Sequence, residues 1–569
     1  MSEAATTLPG LPAASAGRPP VDQGHPRKWW ILVVVSLGMF MALLDVTIVN
    51  IATPAIIEGL HTTVAGVSWV LNSYSLVLAM AFLSMGRVAD RYGQRRVFLF
   101  GLVAFTVFSM LCGFAPSVGW LVAFRAGQGL GGAALMTVSL AIVLSAFPQR
   151  QQGTAVGIWG ALGQAAAAIG PSLGGVLIAY GDWSWIFFVN IPIGLVAVAV
   201  CAWIVPRDRP HSAEGGLDIP GILISGAGLF CLTLALVQAD AWGWRSPVIV
   251  ALGASAAATF PVFMWWETRT PSPMFPVGLL RIRPFMAANT AIMFLGVAMG
   301  GTFLMLVIFL VTVSGYSELR AALAISVMPV LALLVAPNAG RLTDRIGPRL
   351  PSALGAACFG VGLLLMARLD GDSGLHDVMW RVAFLGVGMG LATPTLSAAS
   401  VAALPPRVRG VGSGSLNTMR QVGFTIGVAL VVAIFSHAVA QNARRATREA
   451  TALIAASRQL GPAAKSAYTA TLLHNAKAAA GAGVGTPMTT DPLAGAPPTT
   501  EASQGAFREL DAALAKLYHD RVADSFTWPF YAAACGGLLA VVPALLTGRR
   551  LGEQGGGRAP EPGRRADSP

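Results

Sequence analysis

Fourteen runs of about 20 mostly apolar residues recur along this 569-residue chain, and no other feature narrows its fold so far. A run of that length is what an α-helix needs to cross the hydrocarbon core of a bilayer. The runs lie near residues 30–52, 64–85, 97–115, 119–146, 154–179, 186–205, 219–239, 247–266, 287–313, 321–339, 351–368, 379–402, 411–438 and 527–547. Charge is scarce around them. Charged residues make up 11% of the chain and the mean hydropathy is +0.66, whereas a typical soluble chain carries about 25% charge. So few charges cannot cover a soluble surface, which excludes a cytosolic enzyme, a secreted disulfide scaffold and a disordered chain. An all-α membrane protein with fourteen transmembrane helices is predicted. The first run follows Arg27 and Lys28, is too long for a signal sequence and has no small-residue cleavage site after it, so it reads as a retained span.

The net charge of +12 comes with no basic patch interleaved with aromatics, so no nucleic-acid partner is expected. Arg outnumbers Lys 34 to 4, a bias that fits a GC-rich bacterial genome. Cys112, Cys201, Cys231, Cys358 and Cys535 each stand alone, without metal-ligand or disulfide spacing, so no metal site is expected. The basic residues instead punctuate the apolar runs. With the N-terminus inside, the short inner loops hold fifteen Arg and the short outer loops four, namely Arg245, Arg320, Arg368 and Arg381. The positive-inside rule then predicts that both termini are cytoplasmic. The long stretch 441–526 falls outside and carries nine Lys or Arg, but long translocated loops weigh little in that rule. Its Ala-rich parts, such as Phe507 to Val522, suggest helical surface structure, and Ala478 to Thr500 is expected to be mobile.

The chain also repeats itself. Gly86-Arg87-Val88-Ala89-Asp90-Arg91-Tyr92-Gly93-Gln94-Arg95 returns 254 positions later as Gly340-Arg341-Leu342-Thr343-Asp344-Arg345-Ile346-Gly347-Pro348-Arg349. Gly153, Gly157, Gln164, Ile169 and Gly170 return 257 positions later as Gly410, Gly414, Gln421, Ile426 and Gly427. Two matches at nearly one offset imply two homologous halves of six spans, with two extra spans between them. That is a transporter architecture, with substrate near the midplane where the halves meet. The expected divisions are a cytoplasmic tail 1–28, a first half 29–206, two added helices within 207–284, a second half 285–547 containing the 441–526 loop, and a tail 548–569.

Four groups of residues carry the expected chemistry. The repeated motif, with Gly86, Asp90, Arg91, Gly93 and Arg95 matched by Gly340, Asp344 and Arg345, reads as a tight inner loop between the second and third spans of each half. Its carboxylate can pair with an Arg of the same loop or cap a neighbouring helix N-terminus. Such a clasp would hold one face shut and break when the halves rock. Asp45, in Leu44-Asp45-Val46-Thr47, is the one acid placed well inside a span. A carboxylate there is costly, so it is expected to face a cavity and to take up and release a proton. Arg125 in the fourth span has Gln128 one turn along on the same face, and is expected to relay protons or bias Asp45. Gly170, Pro171 and Gly174 in the fifth span break a backbone bond and allow bending and close packing. Asn417, Arg420 and Gln421 place a second polar face in the thirteenth span. Trp69, Asn72, Tyr74, Trp159 and Gln164 are candidates for lining a substrate cavity.

Taken together, these residues resemble the fourteen-spanner drug:proton antiporter family of the major facilitator superfamily, over roughly residues 30–440. The inner-loop motif at Gly86–Arg96, the fourth-span motif at Arg125–Gly132 and Gly170-Pro171-x2-Gly174-Gly175 are similar to motifs of that family. Leu44-Asp45-x-Thr47 and Trp183-Ser184-Trp185-Ile186-Phe187-x-x-Asn190-x-Pro192-x-Gly194 are similar to elements of its fourteen-spanner branch. Ala166, Thr53 and Ser184 depart mildly from the pattern. The resemblance implies a multi-pass protein of the bacterial cytoplasmic membrane that is not an enzyme. It would use the proton gradient, with no cofactor, to export lipophilic or amphipathic compounds by alternating access, and would act as a monomer. Arg125 and Asp45 would couple the protons. Gln128, Asn417, Arg420 and Gln421 join the aromatic candidates as substrate contacts. A dedicated exporter of one endogenous metabolite or lipid is the alternative. A membrane-embedded enzyme would need clustered acids, His or a metal site, and a membrane sensor would need a sizeable soluble domain. On that reading, a Gly/Ser linker can replace residues 450–515.

Overall fold

The computed structural model describes residues 24–207, 216–457, 460–481 and 504–548, and all regular elements among them are helices. Among the described residues, fourteen helices are long and apolar enough to cross a membrane. The first six are α1 (Lys28–Ile51), α2 (Val64–Tyr92), α3 (Gln94–Gly113), α4 (Val118–Ala146), α5 (Gln152–Tyr180) and α6 (Asn190–Ile204, preceded by the turn Trp185–Phe188). Then come α7 (Ile219–Trp242) and α8 (Pro247–Arg269). The last six are α9 (Arg283–Ile308), α10 (Glu318–Ile346), α11 (Arg349–Met366), α12 (Leu375–Ala402), α13 (Arg409–Ala456) and α14 (Thr527–Leu539, extended by Val541–Ala544).

Within the first half, α4 packs along α2 and α3, and α1 lies against α5. The second half repeats this plan, with α12 along α10 and α11, and α9 against α13. Two helix pairs make the most extensive joins between the halves: α5 runs beside α10, and α2 beside α13. The α7–α8 pair leans on α2 and α13. A small apolar cluster at its end, including Leu83, Phe263, Phe275, Phe285 and Val411, ties that pair to both halves.

Small residues permit the joins. Gly153 and Gly157 of α5 lie against Gly340 and Ala336 of α10, and Gly410 and Gly414 of α13 lie against Gly86 and Phe82 of α2. Both are glycine pairs four apart, the spacing that lets membrane helices approach backbone to backbone. Gly86, Gly153, Gly157, Gly340, Gly410 and Gly414, all within the repeated segments, are therefore points at which the halves touch.

Two expectations change. The repeated motif, expected as a tight loop, is mostly helix: Gly86 to Tyr92 form the last turns of α2, and a single residue, Gly93, turns the chain into α3. Gly93 has φ of +105° and its counterpart Gly347 +85°, conformations that favour glycine. Likewise 441–526 does not begin as a loop, because α13 is one helix of 48 residues that runs on to Ala456. Asn442, Ala446, Ala450 and Ile454 repeat at intervals of four on its buried face, so the pattern that holds the helix in the bundle persists beyond it. With helices Pro462–Gly481 and Gln504–Asp524 it builds a separate small core around Ile454, Leu460, Tyr468, Leu472 and Leu514. Phe507 to Val522 is helical, as expected. Of Ala478 to Thr500, expected to be mobile, 478–481 end the helix Pro462–Gly481 and the rest lies outside the described residues.

Candidate functional site

The site starts with a carboxylate that has no exposed surface. Asp45 lies on α1, about 17 residues from its first residue, and α1 through α4 and α6 close around it. Arg125 of α4 forms an ion pair with Asp45 Oδ2. Gln128 Nε2 donates to Asp45 Oδ1 at 2.8 Å, and Asn190 Nδ2 of α6 donates to the same oxygen at 3.4 Å. Arg125 Nη1 also donates to Gln128 Oε1 at 2.9 Å, so the three side chains form a closed ring. Residues 125 and 128 can act together because they stand one helical turn apart.

Around this ring is a second layer. The Tyr74 ring lies 4.3 Å from the guanidinium carbon of Arg125 and the Phe187 ring 5.9 Å from it. Asn190 Nδ2 reaches Ser109 Oγ of α3 at 3.1 Å, and Ser109 in turn donates to the carbonyl of Phe187 at 2.9 Å. A buried ion pair is kept only when its other lone pairs and protons are also met, and here nearly all are. Two atoms are left over, Arg125 Nε and Asn190 Oδ1. The arrangement holds a carboxylate in a dry interior with a guanidinium and two amide donors around it.

The second part of the site is the pair of clasps. Asp90, at the end of α2, accepts from the backbone N–H of Gly410 at 2.7 Å and of Val411 at 2.8 Å. Asp344, at the end of α10, accepts from the N–H of Gly153 at 2.7 Å, and from the N–H and hydroxyl of Thr154 at 2.8 and 2.6 Å. Of the two roles open to these acids, helix capping is the one adopted, and each cap crosses from one half to the other. Anions at helix N-termini meet both free N–H groups and the positive end of the dipole. The motif's arginines point elsewhere: Arg91 donates to the Gly216 carbonyl ahead of α7 at 3.1 Å, and Arg95 to the Ala202 carbonyl of α6 at 2.5 Å. Arg345 is exposed. A third tie runs from Arg409 Nη1 to the Leu144 carbonyl at 2.9 Å. The face at which α1 begins is shut by these contacts.

Toward the other face, α5 and α10 part around a cleft of about 210 Å³ lined by Ile51, Pro171, Ser172, Gly175, Leu323 and Ser326. Gly170 and Gly174 press on α1, where an added β-carbon would run into Thr47 and Ile48. The remaining candidates divide. Tyr74 and Gln128 are absorbed into the Asp45 cluster, and neither has open surface. Trp159 is buried, with Nε1 donating to Ser139 Oγ at 3.2 Å. Trp69, Asn72 and Gln164 are half-buried, and Gln164 Oε1 has no partner. Asn417 Nδ2 reaches the Met136 carbonyl across the halves at 3.5 Å. Arg420 and Gln421 are half-buried beside it.

Sequence reasoning missed Ser109 and gave Asn190 no role, although Asn190 stands inside a quoted motif. It also missed a buried acid pair. Asp218 caps α7 through the Gly221 N–H at 2.9 Å and accepts from Trp266 Nε1 at 2.9 Å. Glu267 accepts from the Phe275 N–H at 3.0 Å. Asp218 Oδ2 and Glu267 Oε1 have no partners, and a β-carbon on Gly221 would sit 2.5 and 2.8 Å from them. The cap was legible as an acid before Ile219-Pro220 and an apolar run. Glu267 lies one residue past the expected end of its span.

Comparison with known proteins agrees with this architecture. A family model described as Major Facilitator Superfamily matches residues 35–218 and 221–428. The chain is similar to the tetracenomycin C resistance and export protein of Streptomyces glaucescens, with 32% identity covering 71% of this chain and 75% of that protein. A riboflavin transporter of Clostridioides difficile is 29% identical over 79% of this chain and 97% of its own length. Among solved structures, a proton:xylose symporter covers 90% of this chain and 94% of its own at 12% identity, with a TM-score of 0.53, a likeness of fold alone. Twinned six-helix halves, inverse glycine joins and a family match over most of the helical bundle lead to one assignment: this multi-pass membrane protein belongs to the Major Facilitator Superfamily of transporters.

Proposed function

We propose that the protein is a proton-coupled antiporter that exports lipophilic or amphipathic compounds across a bacterial cytoplasmic membrane, acting as a monomer with both termini in the cytoplasm. The observation that carries this reading is the buried Asp45–Arg125–Gln128 ring, an ion-paired carboxylate confined to one half of a two-half transporter. The similarity to a tetracenomycin C resistance and export protein supports the direction and class of transport.

On this reading the clasped face is cytoplasmic and the state described here is shut to the cytoplasm. A proton from the outer side neutralises Asp45, and Arg125 retains Gln128 and the Tyr74 ring as partners. With its charge gone, α1 is held less tightly to α4, and the halves rock until the Asp90 and Asp344 caps part. The compound enters from the cytoplasm or inner leaflet, Asp45 gives its proton to the cytoplasm, and re-formation of the ring returns the transporter to its outward state with the compound aboard. One charge falling through 100 mV yields about 2.3 kcal/mol, which sustains a substrate gradient of about 50-fold. Proteoliposomes with an imposed pH gradient and a panel of unrelated lipophilic compounds test this. Accumulation of none of them against a gradient would overturn it.

A second reading, transport of one endogenous metabolite, is favoured by the riboflavin transporter's match over nearly its whole length. The same panel separates the two, because a dedicated transporter should move a single chemotype.

The outer module is expected to be dispensable for coupling. Replacing 450–515 with a Gly/Ser linker removes Ile454, Leu460, Tyr468, Leu472 and Leu514 from its small core but no residue of the Asp45 ring or the clasps. Export in vesicles should remain measurable, with a lower melting temperature. Complete loss in a variant shown to be inserted and folded would make the module part of the gate.

A further inference from the structure

Among the described residues no counter-charge pairs with Arg420, a cation in the middle of the molecule. It stands eleven residues into α13, about 17 Å along the helix from the clasped face and so near the bilayer midplane. Its contact is one long hydrogen bond, from Nη2 to Ser397 Oγ of α12 at 3.4 Å. Its Nε is buried and has no partner. Ion pairs among the described residues engage Arg125, Arg381 and Arg521, and none engages Arg420. The contrast with Arg125 in the other half is sharp: that guanidinium has a carboxylate, an amide and two aromatic rings.

The surroundings of Arg420 are polar and incompletely satisfied. Thr393 Oγ1, one turn from Ser397 on α12, and Gln164 Oε1 on α5 are both buried without partners. A β-carbon added to Gly160 of α5 would stand 3.5 Å from the Pro394 ring of α12, so the two helices run close one turn from Gln164. Asn417, one turn from Arg420, bridges to α4 of the opposite half. This polar face therefore lies where the halves meet, and Arg420 is half-buried. Burying a guanidinium without an acid is costly unless a partner arrives. Because the fork of Arg suits a planar pair of oxygens, that partner is best met by a carboxylate, and next by a phenolate.

We propose that Arg420 binds an anionic oxygen of the transported compound, so that the preferred cargo is a lipophilic aromatic acid or acidic phenol rather than a lipophilic cation. This rests on the export reading above and names its substrate class. Arg420 is a specificity residue on this account, with Gln164 and Thr393 available to the neutral polar groups of the same molecule.

The test uses the purified full chain and a matched pair of probes, anthracene-2-carboxylate and anthracene-2-carboxamide, with binding read by fluorescence and transport read in proteoliposomes. The wild type should bind the carboxylate more tightly than the amide. Arg420→Gln should weaken the carboxylate at least tenfold and the amide less than twofold, and Arg420→Lys, which keeps charge but not the fork, should fall between. Removing an unpaired buried charge should not cost stability, so the melting temperature of Arg420→Gln should equal or exceed that of the wild type. Equal losses for both probes, or a wild type that prefers the amide, would overturn the proposal. Arg420-dependent carboxylate binding with no pH-driven export would leave the site standing and remove the antiport reading. Export of lipophilic cations with carboxylate binding indifferent to Arg420 would do the reverse.

Discussion

Asp45→Asn is expected to lower pH-driven export at least about 100-fold, a loss of about 2.7 kcal/mol in the coupled step. The amide is close in size and still hydrogen-bonds, but it cannot carry a proton. The variant also leaves Arg125 buried without its carboxylate, and breaking a buried pair costs about 3–5 kcal/mol. Its melting temperature should therefore fall with its activity, and a loss of export alone would be ambiguous. The control is Asp45→Asn with Arg125→Gln, which removes both charges from the ring. That double variant should regain most of the stability and none of the coupling. An Asp45→Asn protein that still builds a substrate gradient from a pH gradient at the wild-type rate would place the coupling acid elsewhere.

The second large effect is expected at the clasps. Asp90 and Asp344 each accept backbone hydrogen bonds at the start of a helix in the opposite half. Hydrogen bonds to charged groups contribute about 1.5–3 kcal/mol each. Neutralising both acids, as Asp90→Asn with Asp344→Asn, should weaken the shut state by about 3–6 kcal/mol if each loses one such bond's worth. That shifts the balance between the two states by roughly 10² to 10⁴. Paired spin labels near residues 94 and 348 should report a wider distance, and turnover should fall at least tenfold because re-closure becomes limiting. Equilibrium affinity for substrate should change little, since neither acid lies at the midplane. An unchanged distance distribution, or a large loss of binding with normal turnover of bound substrate, would contradict the role given to the clasps.

How much of this was legible in the sequence depends on the kind of contact. Spans were legible because a bilayer demands length and apolarity from each helix separately, so no long-range information is needed to see α1 or α9. The halves were legible because the repeat preserves the glycines at which α5 meets α10 and α2 meets α13. The partner of Asp90 was left open between an arginine and a helix N-terminus, since the choice depends on a helix 320 residues away. The Asp45 ring was half visible: Arg125 and Gln128 share one helix and one face, but Ser109 and Asn190 come from other spans and show no periodic signal. Gln128, expected among substrate contacts, turns inward to Asp45 and Arg125, an orientation set by a partner on another span. The outer part of α13 was read as loop because its charged residues end the apolar run, while its buried face continues at a spacing that a hydropathy window does not detect.

One consequence follows from the length of α13. A 48-residue helix is about 72 Å long. It begins at the clasp, passes Arg420, and ends in the small core beyond the far face, where Arg521 grips Glu449 at 2.9 Å and Asn442 bonds Ser525 at 3.0 Å. A rod of that length turned through 10° about its clasped end moves its tip by about 12 Å, given the rise per residue. The outer helices are thus a pointer fixed to the second half. On the proposed topology and cycle, rocking that shifts the midplane by a few ångströms becomes a large displacement where antibodies and fluorophores can reach it. A binder that fixes this module against the first half should stop the cycle from outside, without entering the cavity.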